Sequence, residues 1–409
     1  MTQLVKRAFP LPVREVAGIE VEMTFAPVRR LSDGALAAVE LQLHGTAGSA
    51  LESAHEARRA MRLLEQKDRL DTAKAQSAAD PSATALARAV PLIGALDAFA
   101  LDDVLAAHPV DAGQRVVVSV SSRLFIDSPH ETMAAISSAR DKGFTICLEV
   151  GGDDEHALAF LALIEPDLVL TAPDLLRTPL AAEAASTAHA LAAHTERSHA
   201  VIIAEGVDDE ATRAVAETIG ADYGIGALYP PQPAEELVAE QLVALPPHPV
   251  WASPDSGPTT PYALATRDNS ARRGTKRVLV EMSKALEAQA GAIGASMIAV
   301  GTFQHRRHFT ERTSARWQAL SEAIGFAGIY GAEITPIREG NIHRAPLNPG
   351  DPLVDEWTVA ILGPHFSALI AAKDLHDNGP DLERTFDFIQ TFDRLTVVQA
   401  VRSVLSRFE

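Results

Sequence analysis

Cysteine is nearly absent from this chain of 409 residues: Cys147 stands alone, inside an apolar run. One thiol rules out a disulfide framework and any cysteine-based zinc site, and it fits a reducing compartment. Basic residues are outnumbered, 36 Lys and Arg against 54 Asp and Glu, for a formal net charge of −18. A chain so acidic repels phosphate backbones, which counts against a broad nucleic-acid surface. No apolar run approaches the 18 or so uninterrupted residues of a membrane span, and the first residues, "MTQLVKRAFPLPVREVAG", lack an apolar signal core. A cytosolic chain without membrane contact is the expectation. Also missing are a G-x-G-x-x-G after a strand, a phosphate-binding G-x-x-x-x-G-K-[ST], an H-E-x-x-H helix and a nucleophile elbow.

What is present is ample apolar content, 47% of residues, and a length that suits two domains better than one. Around 245–263 the text becomes "LPPHPVWASPDSGPTTPYA", rich in proline and without hydrophobic period. That reads as a linker setting the geometry of two domains, 1–244 and 264–409.

In the first domain, short β-branched runs alternate with Ala/Leu/Glu-rich stretches. The runs are "RVVVSVSS" (115–122), "FTICLEVGG" (144–152), "LVLTA" (168–172) and "HAVIIAEGV" (199–207). Strand, helix, strand at this spacing predicts βαβ units and a largely parallel sheet, either a closed barrel or an open doubly wound one. In a barrel, chemistry sits at the carboxyl ends of the strands, which singles out Glu40, Ser119, Glu149 and Glu205. Residues 50–90, charged and helix-prone, read as a surface helix and loop, with a dimer-forming helix as the alternative. The second domain places helices at either end of successive strands, an α+β pattern. Its basic stretch "RDNSARRGTKR" (267–277) reads as solvated linker.

The first domain resembles an EAL domain, the cyclic di-GMP phosphodiesterase fold, over about residues 15–240. "FAPVRRLSDGALAAVELQLHG" is similar to its opening strand pair, with Glu40-Leu41-Gln42 at the E-A-L signature. "LIGALDAFALDDVL" resembles its next helix, and "VVVSVSSRLF" its V-N-L-S strand. The most specific stretch is "AEGVDDEATRAVAETIGADYGIGALYPPQP", similar to the family's A-E-G-V-E segment and late Gly-Tyr end. The resemblance implies a TIM-like (β/α) barrel with one antiparallel strand. It also implies divalent cations, held by carboxylates and an Asn, that activate water for attack on a phosphodiester.

This sequence departs from that set. Glu40 and Glu205 match. Ser119 stands for the Asn, Leu148 and Glu149 for the paired Asp, Leu170 for a Lys, Ile225 for a Gln and His44 for a nucleotide-holding Arg. The strand carrying a further Glu is expected to be deleted. Leu148, Leu170 and Ile225 are expected to line the mouth, where they supply no ligands. The expectation is a degenerate barrel without a catalytic set, Mg²⁺ not among its cofactors. Glu40, Glu149 and Glu205 are remnant positions and the candidates for any residual metal ion. Cyclic di-GMP binding without turnover and an active phosphodiesterase stay open as alternatives.

The second domain resembles a DICT domain over about 276–408, through "TFQHRRHFTERTSARWQALS", "DPLVDEWTVAILGPHFSALIAAKD" and "RTFDFIQTFDRLTVVQAVRSVL". The resemblance implies sensing of a ligand, chromophore or partner protein, with light or redox signalling as candidate inputs. His305 and His308, three residues apart, are candidate pocket residues with Phe303, Trp317 and Trp357. A photoreceptor reading of this pocket stays open. The whole reads as a bacterial signalling protein acting with other signalling proteins, and homodimerisation is among the expectations.

Overall fold

The apolar runs of the first domain become strands that close on themselves in this computed structural model, which describes residues 14–64, 67–97, 114–152, 154, 156–177, 182–198, 200–245 and 259–408. Strands β1 (Arg14–Val16), β2 (Ile19–Arg30), β3 (Leu36–Gly45), β4 (Leu92–Asp97), β5 (Gln114–Val120), β6 (Thr145–Val150), β7 (Leu168–Thr171), β8 (Val201–Glu205) and β9 (Tyr223–Ile225) follow one another in sheet order. Arg29 and Arg30 of β2 pair with Gly224 and Tyr223 of β9, closing a barrel of eight strands, β2–β9. Within it β2 runs antiparallel to β3 and β9, and β3–β9 are parallel.

The helix Pro129–Asp141 does run directly into β6. Eight strands remain because Leu92–Asp97, assigned to a helix from sequence, is β4. A short apolar run is ambiguous between helix and strand by periodicity alone, and here parallel pairing with β5 decides. Residues 98–105 of that motif lie outside the described residues.

Strand side chains alternate between the lumen and the surrounding helices. Ala38, Val117, Cys147, Leu168, Leu170, Ile203, Tyr223 and Ile225 share the lumen cluster. Val118, Ile146, Leu148, Val150, Val169 and Ile202 pack outward. Leu148 therefore does not line the mouth, contrary to expectation, whereas Leu170 and Ile225 are on the lumen side. The same two-residue period carries Glu40, Ser119, Glu149 and Glu205 onto the lumen side near the strand ends.

Residues 50–90 are not a surface appendage. They form helices Ala54–Leu63, Lys67–Ala78 and Pro81–Ala87. Leu51, Ala57, Met61, Leu70, Ala73 and Leu86 pack with Val39, Leu41 and Leu43 of β3, and Arg58, Asp71 and Lys74 are buried with them.

The second domain is built on a mixed sheet: β10 (Arg272–Thr275), β11 (Ile298–His305), β12 (Phe326–Ala332), β13 (Ile337–Glu339), β14 (Ile342–Pro346), β15 (Glu356–Leu362), β16 (Ser367–Asp374) and β17 (Thr385–Thr391), in the order 10-17-16-15-11-12-14-13. Part of the basic stretch read as linker is thus β10, an edge strand paired with β17. Helices Lys276–Ile293 and Glu311–Ser321 contribute Leu286, Ala290, Trp317 and Leu320 to the cluster with one sheet face. The other face packs on helix Arg394–Leu405 and on the barrel. Helix Pro261–Ala265 is capped by Thr260 and by Glu356, whose Oε2 accepts from Tyr262 N at 3.1 Å. Residues 246–258 of the Pro-rich stretch lie outside the described residues.

The two domains share a buried apolar contact. Helix Ala157–Ile164 reads "ALAFLALI", apolar all round, and such a helix must be covered on every side. Phe160 stacks on Phe125 of the barrel at 5.2 Å and meets Phe326 of β12 edge-on at 5.5 Å. One continuous apolar cluster runs from Val118 and Leu148 to Val300, Tyr330 and Val401. Polar contacts rim it. Arg140 donates to the carbonyls of Ile164 and Glu165, Arg402 to that of Leu163 at 2.6 Å, and His130 N to that of Phe408 at 3.2 Å.

Candidate functional site at the barrel mouth

Three carboxylates reach the mouth from three separate strands: Glu40 from β3, Glu149 from β6 and Glu205 from β8. The sequence reading brought these together, and the structure does so around a residue it missed. Arg58 reaches into the group from helix Ala54–Leu63. Its Nε lies 2.6 Å from Glu149 Oε1 and its Nη1 3.6 Å from Glu40 Oε1, while its Nη2 hydrogen-bonds to Glu205 Oε2. Arg58 and Glu40 are 4% exposed, Glu149 and Glu205 8%.

A signal for Arg58 existed. Positions 54, 57, 58 and 61 are spaced i, i+3, i+4, i+7, the buried stripe of a helix. Three are Ala54, Ala57 and Met61, and the fourth is an arginine. A charge on an apolar stripe needs a buried partner.

The guanidinium is a flat fork of five donors, suited to several carboxylates at once. Burial works against its charge, but Glu205, Glu149 and Glu40 outweigh that and hold its pKa above the ordinary arginine value. The Arg58 guanidinium faces three carboxylates. Burial pushes Glu205 up to about 7; Arg58 opposes the shift, and Glu40 and Glu149 add to it. His55 Nδ1 stands 3.8 Å from Glu205 Oε2. Glu40 Oε2 also accepts from Gln42 Nε2 at 2.5 Å, and Gln42 Oε1 lies 3.2 Å from His44 Nε2.

The place where three carboxylates converge is filled by a tethered cation. Among the described residues, no group of three or more His, Cys, Asp or Glu side chains is arranged to hold a metal. Ser119 is buried on the same side, and Leu170 and Ile225 are 6% and 5% exposed in the lumen, adding no ligand. Burial, with the nearby carboxylates, pushes the Cys147 thiol well up, so it stays protonated.

The second-domain candidates divide. Phe303 and Trp317 meet at 5.5 Å and Phe303 and Phe309 at 4.9 Å, edge to face, with Trp317 wholly buried. Trp357 stands opposite Phe303 in the β11–β15 pairing, and its ring lies 6.0 Å from Phe386 beside Leu279 and Ala372. His305, at the end of β11, faces Glu333 at 3.2 Å. His308 lies against Lys276, 3.3 Å from its Nζ; burial first, then Lys276 and Arg307, push it down to about 4, so it is neutral at pH 7.

Residues 14–232, more than half the chain, match the EAL domain. Residues 262–375 match DICT, the sensory domain in diguanylate cyclases and two-component systems. No curated protein matches the chain. Solved structures similar to it include the EAL enzyme Bd1971 in its cGMP-bound form, at 16% identity over 53% of this chain and 63% of that one, TM-score 0.37. The PaMucR phosphodiesterase in complex with c-di-GMP shows 15% identity over 53% and 94%, TM-score 0.41. An EAL domain protein from Listeria monocytogenes EGD-e shows 14% over 53% and 90%, TM-score 0.39. This chain thus spans a little under two thirds of the Bd1971 chain. No helix among the described residues is long and apolar enough to cross a membrane.

Proposed function

We propose, on the premise that the chain belongs to the EAL domain family and carries a DICT domain behind its barrel, that it is a cyclic di-GMP signalling protein whose barrel no longer hydrolyses the dinucleotide. The observation carrying this is Arg58 among Glu40, Glu149 and Glu205. Two-metal phosphodiester cleavage needs carboxylates free to hold both ions and a bound water. Here each carboxylate is engaged by a guanidinium that cannot deprotonate. Ser119, Leu170 and Ile225, where related barrels carry Asn, Lys and Gln, support the same reading. The barrel then serves as a scaffold or partner surface for other signalling proteins in the cytosol. The DICT domain supplies sensing of a small ligand or partner, and the barrel reports the outcome as a shift between packing states.

Incubation of the full-length chain with cyclic di-GMP and Mg²⁺ or Mn²⁺ tests this. No linear dinucleotide is expected. Linear product that disappears in Glu205→Gln would overturn the reading.

A further inference from the structure

The buried contact between the domains starts close to the barrel mouth in the chain. Glu149 is the penultimate residue of β6, and residues 151–156 alone separate that strand from helix Ala157–Ile164. Two of its described residues are held: Asp154 accepts from Ser122 N at 2.9 Å and from the Ser122 hydroxyl, and Asp174 accepts from Gly152 N at 3.1 Å. The helix itself lies on the second-domain sheet. Phe160 touches Phe326, and the C-terminal end, where Glu165 is left-handed at φ 51°, is held by Arg402 through Leu163 O and Glu165 Oε2. One short, packed path therefore joins β12 and helix Arg394–Leu405 to the carboxylate that sits 2.6 Å from Arg58 Nε.

We propose that helix Ala157–Ile164 is the coupling element of this protein: the state of the DICT sheet sets the position of Glu149 and so the grip of the mouth on Arg58. The assignment rests on the reading that the DICT domain senses and the barrel reports. Packed side chains and short tethers carry coupling because they shift between discrete arrangements rather than bend smoothly. Linkage makes the effect reciprocal: loosening the mouth must loosen the contact with the sheet by the same free energy.

The test uses the full-length chain with ¹⁵N-labelled arginine, following solvent exchange of the Arg58 Nε–H. Phe326→Leu perturbs the sheet side of the contact without touching the mouth. Phe386→Leu, in the cluster with Leu279 and Ala372, is the control. Phe326→Leu is expected to speed Arg58 exchange tenfold or more, and Phe386→Leu to leave it within twofold of the unaltered chain. An unchanged rate in Phe326→Leu, or equal acceleration in both, overturns the proposal. Should Phe326→Leu not fold, Arg402→Gln at the rim of the same contact decides between the same outcomes. Hydrolysis of cyclic di-GMP would sink the non-catalytic reading alone, and an unmoved Arg58 would sink the coupling alone.

Discussion

Arg58 holds three carboxylates that cannot otherwise share a buried space. Removing one member of a buried ionic group leaves uncompensated charge, at a cost of about 3–5 kcal/mol. Arg58→Met is therefore expected to lower unfolding free energy at pH 7.5 by about that amount in denaturant titration, and by less at pH 5, where Glu205 takes up a proton. Glu205 supplies a second test. Its ordinary value is 4.5 and its folded value about 7, so between those pH values the folded state binds more protons than the unfolded one. Stability must then fall as pH rises through this window. In Glu205→Gln the fall is expected to flatten, measured as the pH dependence of the denaturation midpoint from 4.5 to 7.5.

Among the elements, helix Ala157–Ile164 carries the most consequence for its length. Arg140 and Arg402 take carbonyls that its C-terminus leaves without helical partners. Hydrogen bonds from charged groups are worth about 1.5–3 kcal/mol, so Arg402→Ala is expected to cost that much in chemical denaturation. Phe160→Ala, which empties a wholly buried site, is expected to cost about 3–5 kcal/mol. The barrel strands that carry Glu149 and Glu205 near their carboxyl ends are legible from sequence because both their faces are buried, giving unbroken apolar runs. β4 is not, since six residues fit either period. β10 hid in a basic stretch because an edge strand carries exposed charge, here Arg272 and Arg273, to discourage pairing with other chains. The three carboxylates could be read from their places at strand ends. Their partner could not be read from strand logic, because it arrives on a helix from a segment whose charge suggested solvent.

At the scale of the whole molecule, a core continuous across both domains makes separate unfolding unfavourable, since parting them exposes Phe160, Phe326 and their neighbours to water. Heat or denaturant is expected to give one cooperative transition; two well-separated ones would show that the shared core contributes little. The chain carries its own reporter for this. Its three tryptophans, Trp251, Trp317 and Trp357, all follow the barrel, and Trp251 lies outside the described residues. Trp317 has no exposed surface, so its indole emits from an apolar cage, shifted to the blue, and moves to the red only when the DICT side opens. Emission from Trp317 and Trp357 thus watches the second domain, while far-ultraviolet dichroism watches both. Overlap of the two curves would mean that light emitted from the second domain also times the fate of a barrel whose described residues hold no tryptophan.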